Sequence, residues 1–128
     1  MTSSISVDSA AAEPRDECRI RIAAAGDIHY GADDRERAAA AFGALQDRVD
    51  VLLLAGDLTT HGEPEQARIV ADAVRALDIP VLAVLGNHDW HADRADEFAA
   101  VLRDAGVIVM DKAHPHEILQ LCDTEVGI

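Results

Sequence analysis

The chain has 128 residues, enough for one domain with one apolar core. Its hydrophobic share is 49% but its aromatic share only 3%, so the core must be built from Ala, Val, Leu and Ile. Eleven basic residues against 24 acidic ones give a formal net charge of −13, which argues against general binding to nucleic acid or anionic membranes.

In chain order, residues 1–17 are Ser, Ala, Pro and charge, and read as a disordered tail. No basic start leads into an apolar core, so this is not a secretory leader. Residues 18–128 read as the domain. Arg19 to Ala25 predicts a first strand ending at Gly26. Asp33 to Arg48 carries Ala38, Ala41, Phe42 and Leu45 at helical spacing, with Asp33 and Arg37 as an i,i+4 pair. Val49 to Ala55 is a near-continuous apolar run before Gly56, which suits a parallel strand. Pro64 opens a second helix, whose apolar face is Ile69, Val70, Ala73, Val74 and Leu77. Val81 to Leu85 is a third strand, residues 92–104 a third helix and Val107 to Met110 a fourth strand. Glu117 to Leu121 and Glu125 to Ile128 read as a short hairpin. No apolar run approaches the ~18 residues of a membrane span. Cys18 and Cys122 fit neither a disulfide framework nor a zinc site, so they are expected as reduced thiols in a cytoplasmic protein.

The order βαβαβαβ implies an α/β fold with a parallel sheet. Gly26, Gly56 and Gly86 lie 30 residues apart. One βα unit of that length explains the spacing. It does not explain why Asp27, Asp57 and Asn87 follow. Parallel strands bring their carboxyl ends to one edge, where open α/β sheets bind ligands.

Asp27 and His29 are two apart, and in extended backbone both face one ion. Asp57 can bridge to a second ion through its other oxygen, and Asn87 can offer that ion a carbonyl. Mixed oxygen and imidazole donors suit manganese, iron or zinc. A pair of such ions about 3.5–4 Å apart serves in-line displacement at phosphorus. His88 stands beside this edge as a candidate catalytic acid for a leaving alkoxide. Asp89 either orients the His88 ring or caps the third helix. His61 and His91 read as exposed loop residues, and Trp90 as a packing anchor.

The runs Asp27-Ile28-His29, Gly56-Asp57-Leu58-Thr59-Thr60-His61-Gly62 and Gly86-Asn87-His88-Asp89 resemble the DxH, GDxxxxG and GNH[DE] motifs of the calcineurin-like metallophosphoesterases. The resemblance covers roughly residues 19–110. It implies a four-layer α/β/β/α sandwich, of which only the N-terminal βαβαβαβ part is expected here. It also implies a dinuclear centre: Asp27 and His29 on one ion, Asp57 bridging, Asn87 on the second. His88 would be the catalytic acid, Asp89 its partner, and a bridging hydroxide the nucleophile. The family pattern continues with further histidine ligands that this chain lacks in the expected place. His114-Pro115-His116 has a His-x-His spacing, but it lacks the preceding Gly, contains Pro and comes early. It reads as a polar connection. The chain is therefore expected to be a domain truncated at its C-terminus. The implied function is a metal-dependent phosphoesterase, a hydrolase cleaving a small-molecule phosphomonoester or phosphodiester. The alternative is a non-catalytic fragment or metal-binding subunit that pairs with another chain, a second copy included, through an open sheet edge.

Overall fold

Alternation along the strands decides what each face of the sheet meets. The computed structural model describes residues 4–7 and 19–128. The elements are strands β1 (Ser4–Val7), β2 (Ile22–Gly26), β3 (Val51–Ala55), β4 (Val81–Val84), β5 (Ile108–Val109), β6 (Ile118–Leu121) and β7 (Thr124–Gly127), with helices α1 (Arg35–Gly43), α2 (Pro64–Arg75) and α3 (Ala95–Asp104). A single 3₁₀ turn spans Asn87–Trp90. The five-stranded sheet has the order β1-β2-β3-β4-β5. Strands β2 to β5 are mutually parallel, and β1 joins β2 antiparallel. Strand β1 lies inside the stretch expected to be a tail. The other residues of that stretch lie outside those described.

Ala23, Ala25, Leu52, Leu54, Val81 and Ala83 point to one face. There they join Phe42 of α1, Val70 of α2 and Phe98 of α3 in a single core. All three helices therefore cover the same face, with α2 packed between α1 and α3. The α2 start is specified locally. Pro64 stands in its first turn, and Glu63 and Gln66 form a reciprocal capping box.

The opposite face carries Val51, Leu53 and Leu82, met by Leu119, Leu121 and Ile128 of the hairpin region. Strands β6 and β7 pair antiparallel. Their turn, Cys122-Asp123, has both residues at positive φ, the geometry a two-residue hairpin needs. The hairpin covers this face only in part: Val84 is 43% exposed and Ile22 36%. The described residues thus supply the helical layer, the sheet and a hairpin on its other side. The described sheet ends in β1 and β5, and part of one face stands open as well.

Three local expectations are corrected. Cys122 is disulfide-bonded, not a reduced thiol, and Cys18 lies outside the described residues. The ground for expecting a reducing compartment is therefore gone. Arg37 reaches Asp34, not Asp33, at 3.2 Å from Nε, because α1 begins only at Arg35 and Asp34 is its N-cap. The first helix also ends early, at Gly43, and turns carry the chain on to Leu45 and Val49. No described helix is long and apolar enough to cross a membrane.

The register yields a paired test. Leu52→Ala, in the helix-covered core, should cost about 2–5 kcal/mol of unfolding free energy. Val84→Thr, on the open face, should stay within about 0.5 kcal/mol. Urea unfolding of both variants checks this; equal costs would mean that the two faces are not unequally packed, and a larger cost for Val84→Thr that they are assigned the wrong way round.

Candidate metal centre

The carboxyl ends of β2, β3 and β4 do not stop where their ladders stop. The backbone N–H groups of Asp27, His29 and Tyr30 donate to the carbonyls of Gly56, Asp57 and Leu58, each at 3.0 Å. Thr60 N–H returns to the Tyr30 carbonyl at 3.1 Å. Two loops are thereby laid side by side. Ile28, Tyr30 and Leu58 turn inward and are buried. Asp27, His29 and Asp57 are left to face the edge.

They do so by a different backbone from the one expected. Asp27, His29 and Asp57 have φ of 59°, 49° and 50°, in the left-handed region. Asp and His tolerate that region better than most side chains. The expected extended backbone is therefore absent, yet the two side chains still converge: His29 Nε2 lies 2.5 Å from Asp27 Oδ1. Asp57 Oδ2 is 3.8 Å from the same nitrogen.

The third loop is held even more closely. Gly86 lies so near Asp57 that a Cβ there would overlap the Asp57 backbone nitrogen and Oδ1. Its own backbone is extended, so glycine is required for the close approach, not for its dihedrals. His88 N–H donates to Asp57 Oδ1 at 2.9 Å. The His88 ring stands edge-on to His29, with centroids 4.2 Å apart. The His91 ring is tilted against His88, with centroids 4.6 Å apart.

Asp89 is fully buried and does not touch the His88 ring. Its Oδ1 accepts from Thr59 N–H at 3.0 Å and Thr59 Oγ1 at 2.8 Å. Its Oδ2 accepts from Leu58 N–H at 3.1 Å and Gly86 N–H at 2.9 Å. The carboxylate is a staple across the second and third loops. It is neither the His88 partner nor the cap of α3, whose N-cap is Arg94. His88 is oriented instead by Nδ1, 2.8 Å from the Thr60 carbonyl. A carbonyl only accepts, so Nδ1 carries a proton, and Nε2 is the ring nitrogen left for other partners.

Sequence reasoning missed Thr59, Thr60 and Gln66. Gln66 Nε2 donates to Thr60 Oγ1 at 2.8 Å, and its Oε1 accepts from His61 N–H at 3.0 Å. The Glu63-x-x-Gln66 capping-box spacing was a legible signal for that side chain. Of the expected loop residues, His61 is exposed as anticipated. Trp90 is 59% exposed, so it is no packing anchor. His114 Nε2 pairs with Glu117 at 2.6 Å, outside the cluster.

The donor set fits a divalent cation. Nitrogen or oxygen atoms of His29, Asp57 and His88 all lie within 4.8 Å of one another. Three ligands about 2.1 Å from one ion lie roughly 3.4–3.6 Å apart, so the donors need to draw in by less than about 1 Å each. Asp27, Asp57 and Asn87 line one cavity of about 430 Å³ beside this group. The neighbouring loop is fixed by charge. Asp34 accepts Gly31 N–H at 2.8 Å, which holds its carboxyl below the ordinary range, with Arg37 adding to the effect. Burial pushes the Tyr30 hydroxyl up.

Residues 20–120 match the model of the calcineurin-like phosphoesterases. The chain belongs to that family. Over 54 residues, 41% of this chain, it is 48% identical to a probable cyclic nucleotide phosphodiesterase of Synechococcus sp., covering 21% of that protein. Over another 54-residue match, 42% of the chain, it is 33% identical to a probable glycerophosphodiester phosphodiesterase of Arcobacter nitrofigilis, covering 20% of it. A 45-residue match, 35% of the chain, is 36% identical to a glycerophosphodiester phosphodiesterase of Enterobacter lignolyticus and covers 16% of it. The chain thus covers about a fifth of the length of the first two of these curated relatives.

Removing the Asp89 carboxylate strands four donors at once. Asp89→Ala should cost about 4 kcal/mol or more in urea unfolding. Asp89→Asn, which keeps the shape but turns an amide N–H₂ toward N–H donors, should fall between it and the parent. A cost below about 1 kcal/mol for both would refute the staple.

Proposed function

We propose that this chain carries the metal-binding edge of a phosphodiesterase, a hydrolase that uses divalent cations, manganese among them, to cleave small-molecule phosphate esters. One observation carries the reading: Asp27, His29, Asp57 and Asn87 meet at the carboxyl edge of the sheet, with the His88 ring edge-on to His29. In this reading Asp27 and His29 hold one ion, Asp57 bridges, and Asn87 serves a second. When bound, two such ions supply an activated hydroxide and neutralise the phosphate charge. His88, whose Nδ1–H is pinned to the Thr60 carbonyl, gives the Nε2 proton of its imidazolium form to the leaving oxygen and is left as the neutral ring. Asp89 acts as a positioning residue, through the loops it ties together. The names of the three relatives favour a diester over a monoester.

A second reading has one observation behind it. The open face bearing Val84 and Ile22 favours a metal-binding unit that pairs with another chain and is not itself catalytic.

Hydrolysis of bis(p-nitrophenyl) phosphate and of p-nitrophenyl phosphate, with and without manganese, separates the two. The first reading expects metal-dependent turnover, faster on the diester, abolished in Asp57→Ala and lowered about 10²–10⁴-fold in His88→Ala. Manganese binding without turnover would favour the second. Failure to bind manganese in an Asp57-dependent way would overturn both.

A further inference from the structure

A second cavity, of about 360 Å³, is lined by the ends of β4 and β5 and by α3. Val84, Leu85, Ala99, Val109 and Met110 give it an apolar lining, and Trp90 forms part of its wall. Its volume falls within the range of about 300–1,000 Å³ usual for small-molecule sites. Consecutive residues line the two cavities. Leu85 lines this one and Gly86 the metal-edge one, and successive Cα atoms are about 3.8 Å apart. The turn Asn87–Trp90 links them in the same way, with Asn87 facing the metal edge and Trp90 the apolar cavity.

The Trp90 ring is the observation that asks for an explanation. An indole that is 59% exposed gives up most of the burial that usually justifies so large a side chain. Here it stands at the mouth of an apolar hole three residues from a candidate metal ligand. Polar groups of both kinds also line the cavity. Lys112, the only lysine of the chain, and Asp96 make no side-chain hydrogen bond or ion pair among the described residues. Arg103, by contrast, is engaged with the Val109 carbonyl and lies 3.6 Å from Asp111. A flat, apolar-faced ligand with donors and acceptors along its rim matches this set. A purely aliphatic alcohol would use the lining but neither the ring face nor the two free polar groups.

We propose that this cavity is the subsite for a nucleobase carried by the phosphate ester, stacked on Trp90 with its edge toward Lys112 and Asp96. The inference rests on the phosphoesterase reading, because it takes the phosphate to sit at the metal edge next door. It narrows the substrate class to nucleotides.

Trp90 is the single tryptophan, so its fluorescence reports the cavity directly. The full chain with manganese is titrated with adenosine 5′-monophosphate, ribose 5-phosphate and glycerol 3-phosphate. Saturable quenching by the nucleotide, at concentrations where the two base-free phosphates give none, is expected. Calorimetry with Trp90→Ala should show nucleotide affinity falling about 5- to 100-fold, while ribose 5-phosphate affinity stays unchanged. Val84→Phe, which fills the cavity from the open face, should do the same. Equal responses to all three phosphates, with manganese bound and dependent on Asp57, would overturn the nucleobase subsite and leave the metal edge standing. Loss of Asp57-dependent manganese binding would overturn both.

Discussion

A carboxylate buried without partners is among the costliest groups a fold can contain, and Asp89 is tolerable only because four donors meet it. Those donors come from the ends of two different βα units. Their separation is therefore fixed by one side chain. Everything else at the edge follows from it. Once Gly86 is drawn against Asp57, His88 N–H reaches the Asp57 carboxylate. Once that contact is made, the His88 ring lies against His29. Gly62 completes the arrangement. It has φ of 73°, and a Cβ on it would collide with the Asp89 carbonyl oxygen. Two glycines without a side chain let one buried acid do the work of a covalent clip.

The sheet treats its two faces unequally. Strand neighbours are also chain neighbours, so all three helices share one face and bury it completely. The other face has only the β6–β7 hairpin, and apolar side chains remain partly in water. The metal edge lies where the covered and open faces meet. Its ligands are thus anchored from one side by a dry core and stay reachable from the other.

Much of this was legible. The 30-residue recurrence of Gly followed by Asp, Asp and Asn gave the edge, and the unbroken apolar runs gave parallel strands. The helical faces of α2 and α3 were visible as spacing. What was hidden shares a cause: it depends on contacts between residues far apart in sequence. Whether Asp89 faces His88 or the backbone of Thr59 is decided by the distance between two loops, which no local pattern encodes. The same holds for Trp90, whose exposure depends on what β5 and α3 leave uncovered. The left-handed residues at the ligand positions were hidden for a subtler reason. Asp and His are compatible with that backbone but do not announce it, as Gly does.

The sequential strand order also bears on how the molecule comes into being. Each new strand docks against the one made just before it, so every step closes a loop of about the same length and similar entropic cost. Growth by accretion of this kind uses one neighbour at a time, although each pairing bridges a whole helical crossover and is slow to form for that reason. The metal edge is the exception. It draws on the ends of β2, β3 and β4, and its staple sits in the last of these. During synthesis from the N-terminus, Asp27, His29 and Asp57 emerge first, aligned by the hydrogen bonds between their own two loops but without the third loop against them. They become a site in a single late event, when the segment carrying Asp89 arrives.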